Sequence, residues 1–320
     1  MFQIAVLCVV FGLWLGVFDL ALLAFSAPAL RSLAGFPAKA RATGIFVVRF
    51  LPLTLAAAIT LGIFVPAWWV HEPENAEEAL TLALAAAAFV ALAPLGEGLR
   101  RAMRMASRTH TRLVDWRRRG QKSGLAASCP FDVVEVDGEG VALCVGGYFK
   151  PTIFASIAAM KVLTMRERRA ALAHESSHAS SLDPLRLLGM EACPDFLRLL
   201  CVDVEWRSAF ARAVEFAADA RASAGDRGTA LDLAQALVKV ARLGLAAPLK
   251  GLSVAPAMSN SVDLKARVDA LANGPMDEDR RLPLSSGWAL VLVCAAVCVL
   301  GTQESETAQR LTESIVALLR

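Results

Sequence analysis

The chain has 320 residues, of which 56% are hydrophobic, and its mean hydropathy is +0.51. This composition is too apolar for an ordinary soluble protein and indicates a membrane protein that also has a soluble part. The formal net charge of +3 gives no general support for nucleic-acid binding. The seven cysteines form no CxxC pair, which argues against a zinc ribbon and against a disulfide framework.

Four apolar runs predict membrane spans, at residues 4–25, 46–70, 80–95 and 288–300. The first run is too long for the core of a signal peptide and has no Lys or Arg before it, so we expect an uncleaved span. The fourth run is short for a bilayer, which needs about 20 residues. A tilted span and a buried core helix both fit it, and we predict a span.

The charges between the runs predict the orientation of the chain. The first connection is basic, the second is acidic, and the third run is followed by the arginine-rich segment RRAMRMASRTHTRLVDWRRRGQK. By the positive-inside rule the N-terminus lies outside the cell membrane and residues 100–282 lie in the cytoplasm. The basic segment could contact nucleic acid or anionic lipid headgroups. Because it directly follows a span, we expect the lipid bilayer as its partner and no nucleic acid.

Two charged residues, Asp19 and Arg49, fall within or beside predicted spans. They either pair with each other, or Arg49 extends to the inner interface while Asp19 stays in the bundle. The predicted organisation has three parts. Residues 1–99 form three spans, residues 100–283 form a cytoplasmic domain, and residues 284–320 form a last span with a short external tail.

The cytoplasmic domain is predicted to be mainly α-helical with a small sheet. FDVVEVDGEGVALCVGG predicts a hairpin with strands at 131–136 and 141–145 around a turn at 137–140. The segment after it is extended around Pro151. Thr164 and Glu167 have capping-box spacing, which predicts a helix over residues 165–181. Three further helices follow the apolar periodicity downstream.

The predicted helix over 165–181 contains the sequence ALAHESSHASSLD. His174 and His178 are four residues apart, so their imidazoles lie on one helix face and could take two corners of a tetrahedral zinc site. Glu175 would project beside the metal, where it could take a proton from a water whose pKa zinc lowers. This pattern predicts a catalytic Zn²⁺ centre with Glu175 as its general base.

A catalytic zinc needs a third protein ligand, and no histidine follows His178. Glu215, in EFAAD, is the best candidate, and Asp219 on the same helix face could accept a hydrogen bond from a ligand imidazole. Asp183 could tune the site or cap the next helix, and its spacing slightly favours the cap. Arg221 and Arg267 are two candidates for stabilising an oxyanion, with nothing in the sequence to choose between them.

The order of spans, basic segment, strand pair, GxxxPTI element, HExxHxxxxD and ExxAD resembles the BlaR/MecR-type antirepressor metallopeptidases. The resemblance implies a membrane-embedded, gluzincin-like zinc endopeptidase with ligands His174, His178 and Glu215 and the base Glu175. It also implies a regulatory role, cleaving a protein substrate such as a repressor or the enzyme itself. The segment before the helix would then pair with a substrate strand. We expect that role for Val145, Gly146 and Gly147.

Signalling members of this family have an extracellular sensor domain after the last span, whereas about 20 residues remain here, so a β-lactam-sensing role is not expected. HtpX-like quality-control proteases share both motifs but usually have spans between them. Here residues 185–202 are interrupted by Glu191, Pro194 and Asp195, which ranks that family second. A non-catalytic signalling scaffold with a vestigial site is the remaining alternative. Nothing in the sequence predicts the oligomeric state.

Overall fold

A computed structural model of the chain describes residues 1–71, 80–124, 129–137, 143–194, 203–243, 261–273 and 305–318. The predicted fourth span at 288–300, and most of the turn predicted at 137–140, lie outside the described residues. The described part is mostly helical with one small sheet of four strands. In chain order the elements are α1 (Phe2–Ala34), α2 (Ala38–Ile59), a π-helical segment (Thr60–Phe64), α3 (Val65–His71), α4 (Leu82–Arg119), β1 (Gln121–Lys122), β2 (Val133–Val136), β3 (Leu143–Gly146), β4 (Thr152–Ser156), α5 (Ile157–Val162), α6 (Met165–Ser180), α7 (Asp183–Ala192), α8 (Asp203–Ser223), α9 (Arg227–Arg242), α10 (Ser261–Asn273) and α11 (Ser305–Leu318).

Three of these stretches are long and apolar enough to cross a membrane: Phe2–Ala34, Ala38–Val70 and Leu82–Arg119. They coincide with the first three predicted spans. The third continues without a break from the apolar run into the basic segment, which is therefore helical as far as Arg119. The first span packs against both others. A side chain at Gly12 would collide with Ala91, so a glycine allows α1 and α4 to approach closely.

Asp19 and Arg49, the two charged residues within or beside the predicted spans, are both buried inside the protein. Asp19 is fully buried and Arg49 is 1% exposed. Charged side chains within spans usually face the bundle interior, because isolated charge in lipid is costly. The Arg49 side chain therefore lies inside the protein and does not extend to its surface. Its backbone carbonyl accepts a hydrogen bond from the Cys193 thiol at the end of α7.

The sheet has the strand order β1-β2-β4-β3, which contradicts the predicted hairpin. The two strands expected to pair with each other are separated by β4, which is parallel to β2 and antiparallel to β3. All five residues of β4 are buried, so this strand takes the central position. The hairpin that does form joins β3 to β4 through a turn that starts at Gly147, where a φ of +99° suits glycine.

Helices α7 and α8 pack directly against the long apolar helices. Met190 of α7 and Trp206 and Phe210 of α8 share a core cluster with Leu22 and Ile45 of the first two spans. The end of α7 also contacts α4, where a side chain at Gly98 would collide with the carbonyl of Ala192. The segment predicted as an external tail contains α11, which packs against α3 and the π-helical segment.

Candidate metal centre

The helix α6 is anchored at its start and along one face. Thr164 and Glu167 form the predicted capping box, each side chain accepting the backbone N–H of the other residue. Lys239 on α9 donates to Glu167 over 2.7 Å, which ties this end of α6 to its neighbour. Leu172 and Ala179 pack into the core beneath the sheet. These contacts hold the HExxH sequence in one orientation.

The three expected ligands meet at one buried point. The Nε2 atoms of His174 and His178 are 3.1 Å apart. The two carboxylate oxygens of Glu215 lie 3.6 Å from one Nε2 atom each. In a tetrahedral zinc site with bonds of about 2.0–2.2 Å, neighbouring ligand atoms are roughly 3.3–3.6 Å apart. The two distances from Nε2 to Glu215 lie in this range and the Nε2–Nε2 distance of 3.1 Å lies just below it. Together the three residues could hold a metal ion.

Each imidazole has an aspartate on its other nitrogen. Asp183 Oδ2 lies 2.9 Å from Nδ1 of His178, in a buried hydrogen bond. Asp219 Oδ1 lies 2.9 Å from Nδ1 of His174, in a close contact that departs from a straight hydrogen bond. A carboxylate at Nδ1 favours the tautomer whose Nε2 lone pair is available to a metal. Both nitrogens of the triangle are therefore oriented as metal ligands require.

The structure decides between the two roles considered for Asp183. The residue before it, Leu182, is the N-cap of α7 and has a left-handed conformation with φ of 51°. Asp183 is the first residue of the helix, and its carboxylate contacts His178 rather than capping the backbone. The slight preference of the sequence for a cap was therefore wrong. The left-handed turn at Leu182 is what brings Asp183 back beside α6.

Arg267 on α10 joins two acidic residues of the site. Its Nη1 lies 2.6 Å from Glu215 Oε2, and its Nε and Nη2 each donate to Asp219 over 2.7 Å. The side chain is 4% exposed. Since charge-assisted pairs are stronger where water is excluded, this guanidinium restrains both carboxylates. It also compensates the cost of burying them.

The charges of this network shift the pKa values of its members. Burial alone would raise the pKa of Glu215, but the nearby Arg267 and a hydrogen bond to His174 lower it to about 2. The pKa of Asp219 is lowered well below its usual range against the same burial effect, mainly by Arg267. Burial favours neutral His174, yet contacts with Asp219 and Glu215 raise its pKa to about 10. Without a metal, the imidazole of His174 is therefore protonated on both nitrogens and positively charged at neutral pH.

Glu175 lies beside this triangle and faces the sheet. Burial raises its pKa, and the charges of His174 and His178 oppose that shift. The pKa of the Cys144 thiol on β3 is raised well above its usual value, first by burial and then by the charge of Glu175. Since α6 also contacts β3, Glu175 lies next to this strand.

The segment expected to pair with a substrate is an edge strand. Among the described residues, β3 has a neighbouring strand, β4, on one side only, and its Val145 and Gly146 pair with Ile153 and Thr152. Gly147 lies just beyond, in the turn. An edge strand has unpaired backbone groups that another extended chain can use. Two of the three expected residues are therefore on the strand, and the third is in the turn that follows it.

The two arginine candidates for an oxyanion role have other contacts. Arg267 is engaged by Glu215 and Asp219, as described above. Arg221 donates from Nε to the hydroxyl of Ser177, and its Nη2 lies 3.8 Å from Asp183. The clamp that Arg267 forms was not predicted. The sequence did contain one indication that Arg267 is buried, because it lies on the same helix face as the apolar residues Leu264, Val268 and Leu271.

The chain matches no family model, and a comparison with curated proteins found no match. The site brings together two imidazoles and one carboxylate whose ligand atoms lie within 4.8 Å of one another. A further acidic residue, Glu175, lies beside them and next to the edge strand β3.

Proposed function

We propose that the chain is a membrane-embedded zinc-dependent endopeptidase of the type that the BlaR/MecR resemblance implies. The observation that supports this most directly is the ligand triangle of His174, His178 and Glu215, with separations of 3.1 and 3.6 Å. Two histidines and one glutamate form a ligand set of catalytic zinc sites, which keep a further position for water or substrate. Imidazole ligands also favour zinc over magnesium or calcium, which prefer oxygen.

When bound, a zinc ion would supply Lewis acidity and lower the pKa of a water molecule beside Glu175. Glu175 would accept a proton from the water whose oxygen adds to the scissile carbonyl carbon, and would deliver that proton to the leaving amine as the C–N bond breaks. Its burial, which raises its pKa, makes it a better base than an exposed glutamate. The hydrogen bond between His178 and Asp183 and the close contact between His174 and Asp219 keep both rings oriented.

The substrate in this proposal is a protein segment in extended conformation. Its backbone pairs with the open edge of β3 and passes Glu175, as in other cases where a peptide adds a strand to a sheet. The basic end of α4 lies against the cytoplasmic membrane surface, so that cleavage occurs close to the headgroups. The function proposed is therefore regulatory proteolysis at the inner face of the cell membrane.

The substitution Glu175→Gln tests this function. It removes the base but none of the three ligands, so we expect no cleavage while about one zinc per chain remains bound. New peptide ends in cells with the wild-type protein, absent from cells with the variant, would identify substrates. Metal content is measured on protein purified in detergent.

Glu205→Gln is the matched control, because Glu205 is exposed on α8, and it should leave cleavage unchanged. His178→Ala should lose both metal and cleavage. Continued proteolysis by the Glu175→Gln variant would refute the role of Glu175. A wild-type protein that binds zinc but produces no new peptide ends would instead support the scaffold alternative.

A further inference from the structure

A cavity of about 500 Å³ lies against α6, and all of its lining residues belong to the part of the chain that the structure describes. Arg169, Ala173, Ser176 and Ser180 recur at helical spacing along its wall. With 3.6 residues per turn, this face of α6 is roughly 150° from the face with the two histidines. The cavity is therefore separate from the metal centre, although both use the same helix.

The lining has the chemistry of an anion site. Its nine lining residues include Arg169, Arg221 and three serines, and none of the nine is acidic. Planar guanidinium groups match the geometry of phosphate and carboxylate oxygens. Leu172, Ala173 and Pro130 add an apolar wall. The volume is within the usual range for small-molecule pockets, about 300–1,000 Å³.

Arg221 connects this cavity to the metal centre. Its Nε donates to the hydroxyl of Ser177, the residue before His178. Its Nη2 lies 3.8 Å from Asp183 Oδ2, the same oxygen that is 2.9 Å from Nδ1 of His178. An anion bound to Arg221 would compete with Asp183 for the positive charge. Asp183 would then interact more strongly with the imidazole of His178.

We propose that this cavity binds a small organic anion, a phosphate monoester or a free carboxylate of modest size, through Arg169 and Arg221. Binding of the anion needs no metal and goes beyond the proposed peptidase activity. A second part, which rests on the proposed metal site, is that the anion changes metal affinity through Arg221, Asp183 and His178. By thermodynamic linkage, the metal then changes anion affinity by the same factor.

The first part is tested on the full chain in a non-ionic detergent with a metal chelator present. Titration calorimetry with phenyl phosphate, benzoate and inorganic phosphate should give saturable binding of at least one organic probe, tighter than inorganic phosphate. The tighter of the two organic probes identifies the class of anion. Absence of saturable binding for all three would overturn the proposal.

Variants assign binding to the cavity. Arg169 and Ser180 are exposed at its rim, so Arg169→Gln and Ser180→Glu should fold and each weaken binding at least tenfold. Arg221→Gln should do the same. Arg166→Gln is the matched control, an exposed arginine of the same helix outside the lining, and should bind like wild type. Unchanged affinity in both rim variants would overturn the cavity as the site.

The second part is tested by measuring zinc affinity with and without the saturating probe. We expect a change of at least about fivefold, the lower end of typical coupling between sites. The Arg169→Gln protein, whose probe affinity should be at least tenfold weaker, is measured at the lowest probe concentration that saturates wild type and corrects for any direct reaction of probe with zinc. Equal changes in both proteins would refute the coupling. Since anion binding is measured without metal, failure of the peptidase proposal would leave the first result intact.

Discussion

The two imidazoles of the metal centre are held by similar aspartates in different surroundings. On the His174 side, Asp219 is paired with Arg267, and both side chains are about 5% exposed. On the His178 side, Asp183 has Arg186 at 3.4 Å and Arg221 at 3.8 Å, which are 22% and 29% exposed. Charges attract more strongly where water is excluded, and an unpaired buried charge costs more. We therefore expect the Asp219–Arg267 pair to hold His174 rigidly, and the contacts of Asp183 to hold His178 less rigidly.

The largest effect is expected for Arg267→Gln. Removing this guanidinium leaves Glu215 and Asp219 buried without their positive partner, which typically costs about 3–5 kcal/mol in unfolding free energy. Unfolding in detergent, followed by circular dichroism, measures the loss. Lys265→Gln changes an exposed charge on the same helix and is the control. A loss for Arg267→Gln below about 1 kcal/mol, the range of exposed ion pairs, would contradict the buried clamp.

Replacing each aspartate by asparagine compares the two sides directly. Partners of metal-bound histidines typically contribute about 10–100-fold to metal affinity. We expect Asp219→Asn near the upper end, because it also leaves Arg267 with only Glu215 as a partner, and Asp183→Asn near the lower end. Competition with a chelator of known affinity measures both. A larger loss of metal affinity in Asp183→Asn than in Asp219→Asn would show that His178, not His174, is held more rigidly.

Metal affinity should depend on pH through His174. Since its pKa is about 10 in the metal-free protein, the metal must displace a proton at every pH below that value. Affinity should therefore fall about tenfold for each unit by which the pH decreases between about 8.5 and 6.5. A histidine with an ordinary pKa of about 6.5 would give almost no slope above pH 7.

The same titration has a built-in control. In Asp219→Asn one of the two acidic residues that raise the pKa of His174 is neutral, so the slope between pH 7 and 8.5 should become shallower. Titrations of wild type and variant at several pH values, at constant ionic strength, measure this. A flat wild-type profile across that interval would show that His174 is not protonated in the metal-free protein.

The smallest effect is expected on the His178 side, for Arg186→Gln. Arg186 is partly exposed, lies 3.4 Å from Asp183, and stacks over the rings of Phe46 and Phe210. A partly exposed ion pair with such stacking contributes about 1 kcal/mol. The unfolding assay used for Arg267→Gln should detect a loss of this size. A loss as large as that of Arg267→Gln would remove the contrast between the two sides.

Features that depend on neighbouring residues in the chain were predictable. The helix expected over 165–181 extends from Met165 to Ser180, with the capping box of Thr164 and Glu167 at its start. The first three apolar runs form helices long enough to cross a membrane. The spacing of His174 and His178 places them on one face because a helix repeats every 3.6 residues. Each of these features needs only local geometry.

Features that depend on distant contacts were predicted less well. The strands β2 and β3 are close in sequence, yet β4 lies between them, because its five residues are all buried. Asp183 was slightly favoured as a cap, but the turn at Leu182 directs it to His178. Arg267 was considered for an oxyanion, whereas it pairs with Glu215 and Asp219. In each case the deciding partner belongs to another element.

By itself, the sequence determined the apolar spans, the helix with HExxH and the acidic candidate at Glu215, because hydrophobic periodicity and capping act over a few residues. The tertiary structure decided which carboxylates reach which imidazole, that β3 is an edge strand, and that an arginine 93 residues after His174 enters the site. Such choices depend on how buried faces pack together. How well whole helices and strands fit together depends on residues far apart in the chain, so no short stretch of sequence determines it.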